Sequence, residues 1–352
     1  MATVMAHRLF TRSVALLAVL LVCGCGWYPP ARAHVTVATI DCSLPGAVAS
    51  AAPLAPAEGS PAAEKAEEGG GAAAPSAIVE LVAPSSPPAE QPAKEAPAAE
   101  AQLAPEAEME RHLTSIARLV KATHADIVAL QGLRDEEALN NLRGKLSQLG
   151  SDKKYCGYAF LDEASGGPSG VAVLSTLPIT SFRRPEAAPG SDLEHTECAE
   201  ARIQLPEGQE LVLFSFRLHR DHVLQVAEAK AIYDLTLPLR RSDVNLMLAG
   251  CLNCPEPYRY APTETAETAD RIISGANTPA RADDLVDLHA YLWPNERATG
   301  PGGAECCRML ASPELVADTY RKTDWYLARV RVVSKDVGEG APRALVARFS
   351  LR

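Results

Sequence analysis

A segment of sixty residues, from Gly46 to Pro105, divides the chain into two parts of very different length. It contains ten Pro, eight Glu and no aromatic residue. Such a composition cannot bury enough apolar surface to offset the entropy lost on ordering, so we expect residues 46–105 to be disordered. Because long surface insertions cost little, we interpret the segment as an insertion within one domain; a tether across an envelope is the alternative.

The residues on both sides of this insertion have the pattern of a single α/β domain. Residues 25–45 hold the mature N-terminus and a first strand over 34–42, and residues 106–352 hold the remainder of the domain. Apolar periodicity predicts further strands at 126–131, 155–161, 170–176, 198–205, 210–218, 245–250, 324–333 and 344–351, and helices around 113–120, 139–149 and 223–235. This order, with its long antiparallel middle, indicates packed sheets flanked by helices.

The N-terminus has the pattern of an export signal. A positively charged start precedes the apolar run 13–22, which is too short to span a bilayer, so we interpret residues 1–24 as a cleaved signal peptide. The preferred cleavage is of the bacterial lipoprotein type, with Cys25 as the lipidated first residue. The alternative is the A-x-A site at 31–33, which would release a soluble protein beginning at His34. Both place the protein outside the cytoplasm, and the first anchors it to the membrane.

The charge of the chain argues against generic nucleic-acid binding. The formal net charge is -10, whereas binding through the phosphate backbone needs clustered Lys and Arg. No sequence feature identifies an envelope partner or a ligand.

Seven short motifs occur in the order found in the endonuclease/exonuclease/phosphatase superfamily, and together they resemble it. They are VTVATID, ADIVALQGL, GVAVLSTLPI, LVLFSFRLH, LMLAGCLNCPE, KTDWYLA and APRALVARF. The resemblance implies a four-layer α-β-β-α sandwich of two mixed, mostly antiparallel sheets. It also implies Mg²⁺-dependent hydrolysis of phosphodiesters or phosphomonoesters.

The residues that carry the family's chemistry are mostly replaced. By the resemblance, the altered positions are Gly132 (metal-binding Glu), Arg217 (His), Cys251 (Asp), Ala341 (Asp) and Pro342 (His). The remnant of the pocket is Asp41, Gln131, Asn253 and Asp324. Because metal ligands and general base are lost together, we expect a pseudoenzyme that serves as a binding or structural module, with no cofactor and no metal site.

The alternative hypothesis is a metal-dependent phosphodiesterase or phosphatase with a shifted active site that uses Mg²⁺. The candidates for replacement groups are His219, Asp221 and His222, which follow the altered His position. Asp41 and Asp324 are the candidates for holding a weak cation. Arg217 is expected either to bind an anion in the old phosphate pocket or to form a salt bridge with Asp41 or Asp324.

Nine cysteines in an exported protein favour disulfides over thiol chemistry. Our preferred pair is Cys156 with Cys198, on strands expected to be neighbours in one sheet. The resemblance groups five others near the old active-site rim: Cys42, Cys251, Cys254, Cys306 and Cys307. The alternative is a reactive thiol or a zinc site at the C-x-x-C spacing of Cys251 and Cys254.

Overall fold

The computed structural model describes residues 33–43, 105–162, 169–186, 196–242, 244–253, 268–276, 284–299, 307–316, 325–334 and 342–351. The signal peptide, Cys25, the insertion up to residue 104, Cys254, Cys306, Asp324 and Ala341 lie outside these residues. The predictions made for them are therefore not addressed by the structure.

The first sheet contains six of the described strands. In spatial order they are β11 (Trp325–Ser334), β12 (Arg343–Leu351), β1 (His34–Asp41), β2 (Ile127–Leu133), β4 (Gly170–Ser175) and β3 (Gly157–Asp162). Strands β1 and β2 pair in parallel, with Asp41 opposite Gln131, and the other neighbours pair antiparallel. The carboxyl ends of β1 and β2 therefore lie at the same edge of the sheet.

The second sheet contains the other six described strands. In spatial order they are β5 (Ile179–Arg183), β6 (Glu197–Gln204), β7 (Glu210–Arg217), β8 (Asn245–Cys251), β10 (Cys307–Ala311) and β9 (Val286–Asp287). Its parallel pair is β7 with β8, in which Arg217 lies opposite Cys251. Each sheet thus brings the carboxyl ends of two parallel strands to one edge.

Helices cover the outer face of each sheet. They are α1 (Pro105–Thr123), α2 (Glu136–Gln148), α3 (His222–Arg240) and α4 (Ala269–Ser274), whereas the short α5 (Pro313–Val316) contributes Leu315 to the cluster between the sheets. Apolar residues of α1 and α2 pack with one face of the first sheet, and those of α3 and α4 pack with one face of the second. A third apolar cluster fills the space between the sheets.

The predicted four-layer sandwich of two mixed, mostly antiparallel sheets is confirmed. The structure adds β5, β9 and β10, which periodicity did not predict. Among the helices of the described residues, none combines the length and the apolar character required to cross a bilayer.

Candidate functional site

Four strands end together and form what we call the rim: Asp41, Gln131, Arg217, Cys251 and Asn253. Asp41 and Gln131 are paired in the first sheet, and Arg217 and Cys251 are paired in the second. The thiol of Cys251 lies 3.5 Å from Asp41 Oδ2, which joins the two sheets at this edge. The rim therefore contains five of the sequence-predicted remnant and altered positions, of which Asn253 lies just beyond the end of β8.

Gln131 connects the two sheets through buried polar contacts. Its Oε1 accepts a hydrogen bond of 3.0 Å from Thr39 Oγ1 in the first sheet. Its Nε2 donates to Ser215 Oγ at 3.0 Å and to the Ala249 carbonyl at 3.4 Å, both in the second sheet. With these partners made inside the protein, the Gln131 carboxamide is a structural link between the sheets.

The carboxylate of Asp41 is occupied by neighbouring donors. Its Oδ1 accepts hydrogen bonds from the Ser43 backbone N–H at 3.0 Å and from the Ser43 hydroxyl at 2.6 Å. Its Oδ2 is the atom that faces the Cys251 thiol. Both oxygens of this carboxylate thus have partners supplied by the chain itself.

Gly132 sits at a β-bulge where β2 shifts register against β4. Its φ of +73° favours glycine, because other residues are strained in the left-handed region. A Cβ at this position would lie 2.5 Å from Ser43 Oγ and 3.4 Å from Asp41 Oδ1. The space that a side chain would need at this position is therefore filled by the serine that bonds to Asp41.

Arg217 forms a buried ion pair with Glu197. One guanidinium nitrogen, Nη1, lies 3.0 Å from both Glu197 Oε1 and Ser169 Oγ. The Ser169 hydroxyl also donates to Glu197 Oε1 at 2.6 Å. Burial by itself would lower the pKa of Arg217, but the negative charges of Glu197 and Asp41 raise it. The side chain is therefore a permanent cation at the rim.

Sequence reasoning missed Glu197 and named Asp41 or Asp324 as the salt-bridge partner of Arg217. The structure corrects this for the hydrogen-bonded ion pair, whose acid is Glu197. The sequence could have predicted this ion pair, because β6 and β7 form a hairpin in which Gln204 lies opposite Glu210. Counting outward from that turn places Glu197 opposite Arg217.

Asn253 is hydrogen-bonded to the chain segments around it. Its Nδ2 donates to the Leu218 carbonyl at 2.5 Å, and its backbone N–H lies 3.4 Å from the Cys251 sulfur. Its φ of +52° is in the left-handed region, which asparagine tolerates better than most residues. The residue fastens the end of β8 to the segment that follows β7.

Three of the five cysteines predicted at the rim lie there. Cys42 follows β1 directly, and Cys307 of β10 lies opposite Cys251 of β8. Burial, assisted by the charges of Asp41 and Cys307, raises the pKa of the Cys42 thiol well above its ordinary value. A thiol in this environment is a poor nucleophile, because the thiolate is the reactive form.

The predicted Cys156–Cys198 disulfide is wrong. Cys156 is an exposed free thiol next to β3 of the first sheet, whereas Cys198 is a buried free thiol on β6 of the second. Cys198 belongs to the apolar cluster beneath α3 and α4. The error arose because two strands expected to be neighbours belong to different sheets.

The three proposed replacement groups are engaged around the start of α3. His219 bonds to Glu228 through both its Nδ1 and its backbone N–H. Asp221 caps the helix by accepting from the backbone N–H groups of Val223 and Leu224. His222 is the exposed first residue of that helix.

A divalent cation does not fit the rim formed by the described residues. Hard cations require several oxygen ligands, but Asp41 is occupied and position 132 has no side chain. Arg217 adds a fixed positive charge nearby. Within the described ranges, no group of three His, Cys, Asp or Glu residues is placed to hold a metal ion. Pro342 precedes β12, and its side chain supplies no ligand atom.

Comparison with known proteins agrees with this architecture. The model of the endonuclease/exonuclease/phosphatase family matches residues 99–328. An endonuclease/exonuclease/phosphatase family protein from Bacteroides thetaiotaomicron superposes with a TM-score of 0.52 at 12% identity, covering 91% of this chain and 99% of that chain. An endonuclease/exonuclease/phosphatase from Beutenbergia cavernae gives a TM-score of 0.48 at 18% identity, covering 68% of this chain and 66% of that one. No curated protein sequence matches the chain.

Proposed function

Because the chain belongs to the endonuclease/exonuclease/phosphatase family, we propose that it uses the family's fold as a non-catalytic binding or structural module. Its place is the bacterial envelope, where a lipid on Cys25 anchors it. The observation that best supports the absence of catalysis is the buried ion pair of Arg217 with Glu197 at the rim.

Metal-assisted hydrolysis of a phosphate ester needs a cation, a base for water and donors for the developing charge. At this rim the positive charge belongs to Arg217, which Glu197 and Ser169 hold in place. A guanidinium cannot be deprotonated in a protein and accepts no hydrogen bond, so it does not act as the base. It also repels an incoming metal ion.

The other rim groups support the same proposal. Asp41 is bonded to Ser43, Gln131 links the sheets, and Asn253 bonds to the Leu218 carbonyl. The polar side chains of these three residues are thus engaged in contacts that stabilise the domain. General-base catalysis alone contributes about 10²–10⁴ in rate, so its loss together with the metal leaves little activity.

The test is an assay of the purified protein with Mg²⁺ and Mn²⁺ against DNA, RNA, a chromogenic phosphodiester and inositol or lipid phosphates. We expect no turnover above the buffer. The matched variants are Asp41→Asn at the rim and Asp234→Asn at an exposed position on α3. Turnover that disappears in the first and persists in the second would overturn the proposal and support a shifted active site. Turnover that persists in both does not arise at this rim.

Export and anchoring have their own test. Mass spectrometry of the membrane fraction should find a diacylglyceryl group on Cys25 and no peptide from residues 1–24. A soluble mature form beginning at His34 would contradict the anchor, and an uncleaved cytosolic chain would contradict export.

A further inference from the structure

An open cavity of about 390 Å³ lies at the opposite end of the first sheet from the rim. We call it the basal pocket, and its charged lining is Arg329, Arg331, Arg348, Lys153, Asp126 and Asp152. It also includes His34, the first residue of β1, whose last residue is Asp41 of the rim. Eight extended residues place these two ends about 23 Å apart, so the basal pocket is separate from the rim.

The three arginines share one face of the sheet. Arg329 of β11 lies opposite Arg348 of β12, and Arg348 in turn lies opposite Thr36 of β1. Arg331 is two residues along β11 from Arg329, so it points to the same side. Like charges directly opposite each other destabilise a sheet unless a counter-charge is present.

The two carboxylates of the pocket are each paired with neighbouring residues of its lining, and Lys153 is one of those partners. Asp126 accepts from the Thr36 backbone N–H at 2.9 Å and from Lys153 Nζ at 2.6 Å. Asp152 pairs with His124 at 3.1 Å. With four permanent cations and two carboxylates, the lining carries a net charge of +2 before either of its histidines is protonated. This contrasts with the net charge of -10 of the whole chain.

The guanidinium groups of two of the arginines form no hydrogen bond or ion pair with the other described residues. Arg331 donates to the Thr123 carbonyl at the end of α1, at 3.1 Å. Arg329 and Arg348 are both exposed, and no described side chain or carbonyl pairs with either of them. Two adjacent guanidinium groups present donors in the fork geometry that suits a phosphoryl group.

We propose that the basal pocket binds a phosphoryl group between Arg329 and Arg348. The pocket is larger than inorganic phosphate requires, and its volume is within the range of small-molecule sites. The ligand class is therefore a phosphomonoester or the phosphoryl headgroup of a lipid. This inference is independent of the proposal made for the rim.

The test uses the purified full chain in two arms. Isothermal titration with inorganic phosphate and with glycerol 3-phosphate measures binding from solution. Co-sedimentation with phosphatidylcholine vesicles, with and without phosphatidylglycerol, measures binding to a headgroup. The double variant Arg329→Gln/Arg348→Gln should bind at least about tenfold more weakly in the arm that shows binding, because two charged donors are lost.

The matched control is Arg220→Gln, which removes an exposed arginine just after β7, at the rim end of the molecule. It should retain wild-type affinity. A cooperative unfolding transition of the double variant without ligand, at a Tm near that of the wild type, shows that it is folded. If the solution arm shows binding, phosphate should raise the Tm of the wild type and of this control but not that of the double variant. Binding in one arm with this pattern identifies the source of the phosphoryl group. No binding in either arm, or equal losses in both variants, would overturn the proposal.

Discussion

The Ser43 hydroxyl occupies the space beside Gly132 into which a side chain would extend. A Cβ on Gly132 would lie 2.5 Å from Ser43 Oγ, and that oxygen is itself 2.6 Å from Asp41 Oδ1. The missing side chain at position 132 and the Ser43–Asp41 hydrogen bond are therefore coupled. A side chain with a carboxylate cannot be introduced at position 132 without displacing Ser43, which is hydrogen-bonded to Asp41.

Gly132→Ala should destabilise the protein by about 1–3 kcal/mol, because a left-handed conformation is strained for alanine and the Cβ meets Ser43. The matched control is Gly144→Ala in α2, where the structure leaves open space around the new methyl group. Since alanine favours a helix over glycine, the control should gain about 0.5–1 kcal/mol. Urea unfolding measures both changes. Equal midpoints for the two variants would contradict this account of the bulge.

Arg217→Met should cost about 3–5 kcal/mol, because it leaves the buried Glu197 carboxylate without its counter-charge. Adding Glu197→Gln to the same chain should recover much of that loss. The control is Arg183→Met on the edge strand β5, where the side chain is 50% exposed and its partner Glu200 keeps a second bond to Arg202. That change should cost less than about 1 kcal/mol. Similar unfolding free energies for the two single variants would show that the rim ion pair is not buried in solution.

The difference between these two arginines shows what sequence reasoning can and cannot reach. The apolar residues of β7 predicted a strand, the family resemblance singled out Arg217, and a hairpin count would have found Glu197. The role of Ser43 could not be predicted from the sequence in this way, because it depends on a bulge in another strand about ninety residues away. Strand β10 was missed because Arg308, almost fully buried, interrupts its apolar pattern. Long-range packing decides such positions, and local periodicity does not reveal it.

His289 should make the protein less stable in mild acid. Burial, with the positive charges of Arg308 and Arg297 nearby, lowers its pKa to about 3, although the Asp287 carboxylate lies 3.9 Å from its Nδ1. Because protonation then favours the unfolded chain, its contribution is complete above about pH 6.5 and is lost as the pH falls towards 3. Between pH 7 and pH 5 the wild type should lose about 2 kcal/mol more than His289→Leu.

The control for this titration is His222→Gln, which removes an exposed histidine from the start of α3. Its loss of stability between the same two pH values should equal that of the wild type. Parallel pH profiles for His289→Leu and the wild type would contradict the prediction.

Thiol labelling distinguishes the exposed Cys156, next to the first sheet, from the buried Cys198 of the second sheet. Cys156 is exposed, whereas burial raises the pKa of Cys198 to about 12. Iodoacetamide at pH 8 should therefore modify the Cys156 peptide in the folded protein and the Cys198 peptide only after unfolding. Peptide mapping without reducing agent checks this. Recovery of a cross-linked Cys156–Cys198 peptide would contradict the assignment of the two residues to different sheets.

The buried contacts of Gln131 have a consequence for how the two sheets are aligned. Apolar packing between them is non-directional, and by itself it would tolerate sliding of one layer over the other by part of a residue. The Gln131 carboxamide accepts from Thr39 on one side and donates to Ser215 and the Ala249 carbonyl on the other. Displacement of one sheet relative to the other would leave these buried polar atoms without hydrogen bonds, at a cost of about 1–3 kcal/mol each. The Gln131 side chain therefore fixes the position of one sheet relative to the other, independently of ligand binding.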